Sequence, residues 1–511
     1  MKNISLGEPL SKEQLLALAA GRSLSLRLGR DTLAKVKTAR QTVADIAAGE
    51  APVYGVNTGF GLLARERIQS EDLGCLQRNL LLSHAVGTGP NLPAEEVRLA
   101  LLLRIQSVCQ GHSGVRPELL RWLIKLFHSG WLPRVPEQGS VGACGDLAPL
   151  AHLALPVIGE GELMDEDGLC RPAAEVLPLI DLQPMTLAAK EGLALINGVQ
   201  ISNAVGLVAW ARMCNLSVCA DIAGALGVEA LLGSHRPFDA RVAAIRPHRG
   251  MKATSANLRK LLKASEVRKS HRHCDRVQDP YSFRCMPQVH GACKDALAYL
   301  ESCLLVEANS ATDNPLVFPQ RGDTVSAGNF HGQPIAMAMD HGVNALCGWG
   351  NISERRIAIL IDPAMSQLPA FLTPKPGLNS GLMIPQVVAA ALCNENKVLS
   401  HPASSDTIST SADQEDHVSM AMNAARKLRQ AAINVERILA IELFTAAQAH
   451  EFHKELRPGR GVAAVYDLIR RHVSPLDEDR FLAPDLDRLH QLLRDGEIRA
   501  AAENVVGSLV A

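Results

Sequence analysis

One glycine-rich segment, residues 139–153, holds the side chains best suited to chemistry. Its three glycines permit backbone angles and close approaches that other residues resist. Cys144 lies directly before the third glycine, and Asp146 and Pro149 are typical of the cap and first turn of a following helix. The segment therefore predicts a loop that places Cys144 just before a helix N-terminus, where partial positive charge favours developing negative charge.

Three kinds of site have to be weighed for such a loop. A phosphate-binding loop is disfavoured, because neither GK[ST] nor GxGxxG is present. A thiolate nucleophile at Cys144 stays open, although no Cys–His pairing is visible in the sequence. The run His271-Arg272-His273-Cys274 has residue types that suit zinc. A second cluster at ligand spacing is missing, so no metal is expected.

Helical patterns dominate the elements that must hold this loop. Ser11 begins a capping-box pattern, and residues 117–127 have the spacing of a helix with proline in its first turn. Residues 191–232 are mostly small and apolar, as in the centre of a bundle. Strand signals are few, and residues 316–318 and 324–326 predict a hairpin.

These patterns predict a mainly α fold, with a large central helical bundle and small β additions. The approximate division is an N-terminal region, 1–190, and a region of long helices, 191–511. The first contains the loop around Tyr54 and the loop around residues 143–145. No linker composition separates the two regions, so we expect one continuous body.

Composition excludes several classes of function. The chain has 511 residues, of which 52 are basic and 53 acidic, and only 4% are aromatic, so a nucleic-acid partner is not expected. No run of 18 apolar residues is present, so no membrane span is expected. The absence of an apolar leader, together with 12 cysteines lacking a CxxC pair, predicts reduced thiols in the cytoplasm.

The loop around Cys144 resembles the signature of the aromatic amino acid ammonia-lyases. The resemblance extends along essentially the whole chain, and so many matches in the same order are specific. The matching segments are 54–61, 79–84, 139–155, 190–198, 277–288, 312–317, 328–331, 379–386 and 409–420.

In that family an Ala-Ser-Gly triad cyclises to methylidene-imidazolone (MIO), so no diffusible cofactor is needed. Here the triad is Ala143-Cys144-Gly145, with cysteine in place of serine. The Gly145 nitrogen would bond to the Ala143 carbonyl carbon with loss of water, and Cys144 would lose hydrogen sulfide where serine loses water. A thiol with an ordinary pKa of roughly 8.5 provides an adequate leaving group. The alternative is an uncyclised thiol, which would give an inactive, histidine-binding form.

The resemblance also implies roles for five other residues. Tyr54 corresponds to the base that removes the β-proton, and its phenol, with an ordinary pKa near 10, would have to be acidified by its neighbours. Tyr281 corresponds to a second active-site tyrosine near the substrate amine. Arg284 would anchor the substrate carboxylate, with a further hydrogen bond from Gln278. Asn197 would contact the prosthetic group.

Substrate choice depends on a second set of residues. His84, Phe330 and Met383 correspond to pocket positions, and His84 would contact the substrate side chain. Glu415 favours histidine, because a carboxylate accepts a hydrogen bond from an imidazole N–H better than the amide of phenylalanine and tyrosine lyases. The expected reaction is therefore elimination of ammonia from L-histidine to give trans-urocanate, the first step of histidine degradation.

Some features keep alternatives open. Asp413 and Pro385 stand where an amide and a small residue are expected. Either difference can change the affinity for the substrate, but the sequence does not determine whether the affinity rises or falls. A tyrosine- or phenylalanine-selective lyase, or an aminomutase of the same family, is the second reading. The resemblance implies a homotetramer whose active sites each draw on three chains, so that Tyr54, Cys144 and Tyr281 are not all from one chain.

Overall fold

The computed structural model describes residues 3–22, 24–61, 65–271 and 277–511. Helices make up most of this part of the chain. In order, the α-helices are α1 Lys12–Ala19, α2 Arg30–Ala48, α3 Leu73–His84, α4 Ala94–Cys109, α5 Pro117–His128, α6 Leu147–Ala154, α7 Ala173–Val176, α8 Glu191–Ile196, α9 Gln200–Ala230, α10 Ala240–Ile245, α11 Arg249–Leu261, α12 Glu266–Ser270, α13 Tyr281–Arg284, α14 Met286–Ala308, α15 Gln333–Ile361, α16 Pro363–Ser366, α17 Met383–Leu399, α18 Ala421–His450, α19 Arg460–His472, α20 Ala483–Arg494 and α21 Glu497–Val506.

The strands are short and form four small sheets within the described residues. They are β1 Asn3–Leu6, β2 Ser25–Leu28, β3 Thr88–Asn91, β4 Leu132–Pro133, β5 Pro136–Gln138, β6 Glu162–Met164, β7 Cys170–Pro172, β8 Leu316–Phe318 and β9 Asp323–Val325. β1 and β2 pair in parallel, while β3–β5, β4–β6–β7 and β8–β9 are antiparallel. The predicted hairpin is confirmed as β8–β9, and the mainly α class with small β additions is confirmed.

Local sequence signals account for several helix ends. The Ser11 hydroxyl accepts from the Gln14 backbone N–H at 3.3 Å, and the Gln14 side chain accepts from the Ser11 N–H at 2.8 Å. This reciprocal pair is the predicted capping box of α1. Pro117 is the first residue of α5, where its missing N–H costs no hydrogen bond.

Contacts divide the chain into two compact units, each of which is discontinuous in sequence. The first comprises Met1–Ala211, Glu301–Asp340 and Pro402–Arg426, and all the described strands belong to it. It therefore extends past residue 190. One of its apolar clusters joins α2 to β8 through Ala39, Val43, Val56 and Val317.

The second unit comprises Arg212–Leu300, His341–His401 and Lys427–Ala511, and its described elements are helical. An apolar cluster of Ile357, Ala389, Ile438 and Ile441 joins α15, α17 and α18 within it. Four of the five boundaries between the units fall inside the four longest helices, α9, α14, α15 and α18, and the fifth follows α17 at His401. Long helices thus supply much of both units, as the apolar periodicity predicts.

The apolar stretch 191–232 forms two helices instead of one. α8 ends at Ile196, and Asn197 takes an extended conformation before α9 begins at Gln200. α9 is long and apolar enough to cross a membrane by length and composition, but 83% of its most apolar window is buried within the protein. Such burial is typical of a core helix, so its composition reflects packing.

Candidate active site

The loop before α6 docks onto the break between α8 and α9. The Gly198 N–H donates to the Cys144 carbonyl at 3.2 Å, and the Asp146 N–H donates to the Gly198 carbonyl at 2.8 Å. Gly145 has φ +82°, and a Cβ there would lie 2.1 Å from the Gly198 oxygen. Position 145 therefore requires glycine for both its backbone angle and its close approach.

Asp146 anchors this loop instead of capping the following helix. Its carboxylate accepts from the Ser140 hydroxyl at 2.9 Å, the Ser202 N–H at 2.7 Å and the Ser202 hydroxyl at 2.6 Å. Burial raises the pKa of Asp146, and these hydrogen bonds oppose the rise. The predicted side-chain cap of α6 is wrong: Asp146 occupies the cap position, but its side chain makes no cap hydrogen bond.

The triad fits a cyclised group. Ala143 is buried, and Cys144 lies half-buried in the wall of a cavity. Within the described residues, neither the Gly145 N–H nor the Ala143 carbonyl has a hydrogen-bond partner. These are the two groups that cyclisation has to join, so closing the ring would break no observed hydrogen bond.

A cavity of about 980 Å³ in the first unit contains most of the predicted site. Its lining includes Tyr54, His84, Ala143, Cys144, Asn197, Phe330 and Glu415, all of them predicted from the sequence. It also includes Phe60, Asn314, His331, Gln414 and His417, to which the sequence reasoning gave no role. Their positions inside matching segments, such as the run around Glu415, were the signal that could have identified them.

Glu415 lies directly against Cys144. The Cys144 thiol donates to Glu415 Oε1 at 2.8 Å, and the Thr410 hydroxyl donates to Oε2 at 2.9 Å. Backbone hydrogen bonds between Thr410 and Glu415 close a tight loop, within which Ser411, Ala412 and Asp413 all have positive φ. The loop therefore points the carboxylate at the triad at the cost of local backbone strain.

The surroundings of Cys144 keep its thiol protonated. Burial raises the pKa of Cys144 well above its usual range, and the hydrogen bond and negative charge of Glu415 raise it further. Reactive thiolates need nearby positive charge, and this cavity presents a carboxylate instead. The structure therefore disfavours the reading of Cys144 as a thiolate nucleophile.

Tyr54 is packed edge-on against Phe60, with 6.4 Å between the ring centroids. Burial raises the pKa of Tyr54, the neighbouring Cys144 and Glu415 raise it further, and a backbone hydrogen bond at Gly61 opposes them. The groups of this chain therefore do not provide the acidification that the role of Tyr54 as a base would require. No lysine or arginine lines the described wall of the cavity, so an acidifying charge would have to come from elsewhere.

Asn197 is held by a network of buried charges. Its side-chain amide donates to the Asn314 carbonyl at 2.9 Å and to Asp313 at 3.4 Å. Lys190 pairs with Asp313 at 2.8 Å, and both side chains are 0% exposed. Arg104 donates to the Asn197 carbonyl. The sequence analysis did not predict this network of buried charges. Lys190 was a signal for it, because a lysine directly before an apolar stretch is unusual unless its charge is paired.

A profile of the family described as aromatic amino acid lyase matches residues 10–471 of the chain. The chain belongs to the aromatic amino acid lyase family. A histidine ammonia-lyase of Myxococcus xanthus is 50% identical to this aromatic amino acid lyase over 498 residues, which cover 98% of each chain.

Solved structures show that the fold is shared over the full length. A crystal structure of histidine ammonia-lyase from Trypanosoma cruzi has a TM-score of 0.91 at 42% identity, covering 99% of this chain and 95% of that one. A tyrosine aminomutase from Streptomyces globisporus has a TM-score of 0.93 at 35% identity, covering 100% of each. This member of the aromatic amino acid lyase family is therefore a carbon–nitrogen lyase by its relatives as well as by its motifs.

Five predicted site residues do not line the cavity of this aromatic amino acid lyase, and one of them, Gly145, adjoins the lining residue Cys144 in the chain. The other four all belong to the second unit, and they are Gln278, Tyr281, Arg284 and Met383. Tyr281 is 67% exposed, and the Arg284 guanidinium stacks 3.7 Å from the centre of its ring. Within its own unit, the predicted carboxylate anchor is therefore paired with the second tyrosine.

Three further sequence features have simple structural outcomes. The Asp413 carboxylate accepts a hydrogen bond from the Ser409 hydroxyl, and Asp413 does not line the cavity. Pro385 is buried in the first turn of α17, a position that proline tolerates. For the suspected zinc ligands, His273 and Cys274 lie outside the described residues, and no cluster of three metal-binding side chains occurs among those that are described.

Proposed function

We propose that this chain is a histidine ammonia-lyase that converts L-histidine to trans-urocanate and ammonia, the first step of histidine degradation. The observation that carries the proposal is the Glu415 carboxylate, which lines the same cavity as His84 and lies 2.8 Å from Cys144. A carboxylate and an imidazole nitrogen can both accept from an imidazole N–H of the substrate. An amide at position 415 would match this substrate less well.

The electrophile in this proposal is methylidene-imidazolone formed from Ala143, Cys144 and Gly145. What it supplies is an electrophilic centre for the substrate amine, which is otherwise a poor leaving group. Its formation removes one water and one hydrogen sulfide from the chain. The Gly145 N–H and the Ala143 carbonyl have no hydrogen-bond partner among the described residues, which supports this chemistry. The Cys144 side chain would leave as hydrogen sulfide, which takes the thiol hydrogen and the hydrogen on Cα of Cys144.

The other residues of the cavity bind and orient the substrate. Tyr54 would take the β-proton from a position beside Cys144. Asn197 would contact the prosthetic group, with its amide direction held by Asn314 and Asp313. His84 would read the ring of the substrate, and Phe330 would pack against it.

We further propose a homotetramer in which neighbouring subunits complete each site. The second tyrosine and the carboxylate anchor, Tyr281 and Arg284, lie on the surface of their own unit. The described wall of the cavity has no lysine or arginine to receive a substrate carboxylate, and a guanidinium from Arg284 of a neighbouring copy would provide the charge. The exposed apolar residues Ile384, Val387 and Val398 of α17 are consistent with burial in such an assembly. A cytoplasmic location belongs to the same proposal.

Intact mass spectrometry combined with a urocanate assay tests this function. We expect the purified chain to be lighter than its sequence by one water and one hydrogen sulfide, and to release urocanate from L-histidine. Cys144→Ser is the matched control, since it should lose two waters and be active. Cys144→Ala has no leaving group on Cβ and should keep its full mass. A full-mass wild-type chain that binds histidine without forming urocanate would refute the proposal.

A further inference from the structure

Ser83 and His84 stand side by side at the C-terminal end of α3. The Ser83 hydroxyl oxygen lies 3.0 Å from His84 Nδ1, and the same hydroxyl donates to the Leu80 carbonyl at 3.2 Å. His84 lines the catalytic cavity, whereas Ser83 is exposed and does not line it. Ser83 therefore contacts the His84 ring from outside the lining of the cavity.

Donor and acceptor counting determines which ring nitrogen carries the hydrogen. A serine hydroxyl has one hydrogen, and Ser83 gives it to Leu80. Its oxygen is then left to accept from His84, which assigns Nδ1 as the N–H of the ring.

The other nitrogen of the ring is consequently an acceptor. Burial lowers the pKa of His84, although the Leu80 hydrogen bond and the charge of Glu415 oppose the shift, so the ring is neutral near pH 7. With Nδ1 protonated, Nε2 has only a lone pair. Among the described residues Nε2 has no hydrogen-bond partner, which leaves that lone pair for a ligand in the cavity.

We propose that Ser83 is a positioning residue that holds His84 as the Nδ1–H tautomer, so that Nε2 presents a hydrogen-bond acceptor to the substrate side chain. The inference rests on the proposed function and concerns selectivity at the same site. It predicts which substrate side chains the site prefers. A side chain with an N–H or O–H group, such as imidazole or phenol, can donate a hydrogen bond to His84 Nε2. A phenyl ring leaves it unpaired, which is the costly outcome for a desolvated acceptor.

Equilibrium binding of trans-urocanate in ammonia-free buffer isolates this effect from turnover, because the product keeps the ring and has no amine to eliminate. We expect Ser83→Ala to weaken urocanate binding about fivefold, the factor that one ordinary hydrogen bond contributes. Ser83→Thr is the matched control, since it retains the hydroxyl and should bind like wild type. With L-histidine, the same fivefold change should appear in KM and leave kcat unchanged.

The two N-methyl isomers of urocanate give an independent readout of the acceptor. Wild type should discriminate against the isomer whose methyl group replaces the N–H that faces Nε2, and Ser83→Ala should discriminate less. The inference is refuted if Ser83→Ala and wild type bind urocanate equally, or if both methylated isomers bind as tightly as urocanate. A chain that binds urocanate in a Ser83-dependent way, yet forms none from L-histidine, would refute only the proposed function.

Discussion

The buried pair between Lys190 and Asp313 should contribute strongly to stability, and Lys190→Met tests this. The charged atoms are 2.8 Å apart, and both side chains are 0% exposed. Burial lowers the pKa of Arg104 to about 10, although the negative charges of Asp313 and Asp146 oppose this shift. Two basic residues, Lys190 and Arg104, therefore share this interior with two acidic residues, Asp313 and Asp146. Removing one lysine charge leaves an excess negative charge that water cannot solvate.

The expected cost follows from this imbalance. Breaking a buried pair by removing one partner costs about 3–5 kcal/mol, a large part of the total stability of an ordinary domain. Urea unfolding followed by circular dichroism measures the loss. Lys12→Met is the matched control, because the Lys12–Glu301 pair is 2.6 Å long but 40% and 24% exposed. That change should cost at most about 1 kcal/mol.

A double variant separates the direct interaction from general damage. Lys190→Met combined with Asp313→Asn removes both charges and keeps an acceptor for the Asn314 N–H, which lies 2.7 Å from Asp313. The double variant should unfold at a higher urea concentration than additivity of the two single changes predicts, with a coupling of about 1–3 kcal/mol. A wild-type urea midpoint for Lys190→Met, or strict additivity, would refute the reasoning.

Three further changes test separate parts of the structure. His290 accepts from Arg356 at 3.2 Å and lies 2.8 Å from Asp221, and burial lowers the pKa of His290. Below its ordinary pKa of about 6.5, this histidine binds a proton in the unfolded chain but not in the folded one, so the free energy of unfolding should fall as the pH drops from about 6.5 toward the folded pKa. Urea titrations at several pH values measure this slope, which should be smaller for His290→Gln. Gly145→Ala should keep the full intact mass, because its Cβ would lie 2.1 Å from the Gly198 oxygen; a matured Gly145→Ala chain would contradict the docking of the loop. Tyr54→Phe should lower the single-turnover rate of urocanate formation by about 10²-fold or more while intact mass still shows maturation, and an unchanged rate would exclude Tyr54 as the base.

Features that depend on local backbone preferences were predictable from the sequence. The capping box at Ser11 and the proline that begins α5 were predicted from a few adjacent residues. The turn between β8 and β9 and the tight loop around Gly145 were equally visible, because glycine marks positions where other side chains are strained. The family resemblance added the identity of the triad and the importance of Glu415.

Only the tertiary structure decided which of these residues meet and in what electrostatic setting. Cys144 and Glu415 are 271 positions apart, and no local rule brings their side chains to 2.8 Å. Asp146 has the sequence position of a helix cap, yet the buried Ser202 and the half-buried Ser140 compete successfully for its carboxylate. The groups of this chain raise the pKa of Tyr54, whereas its role as a base would need a lower one, because burial and the Glu415 carboxylate disfavour the phenolate. Sequence patterns report backbone preference and burial, whereas charge balance within a cavity depends on the distant segments that the fold brings together.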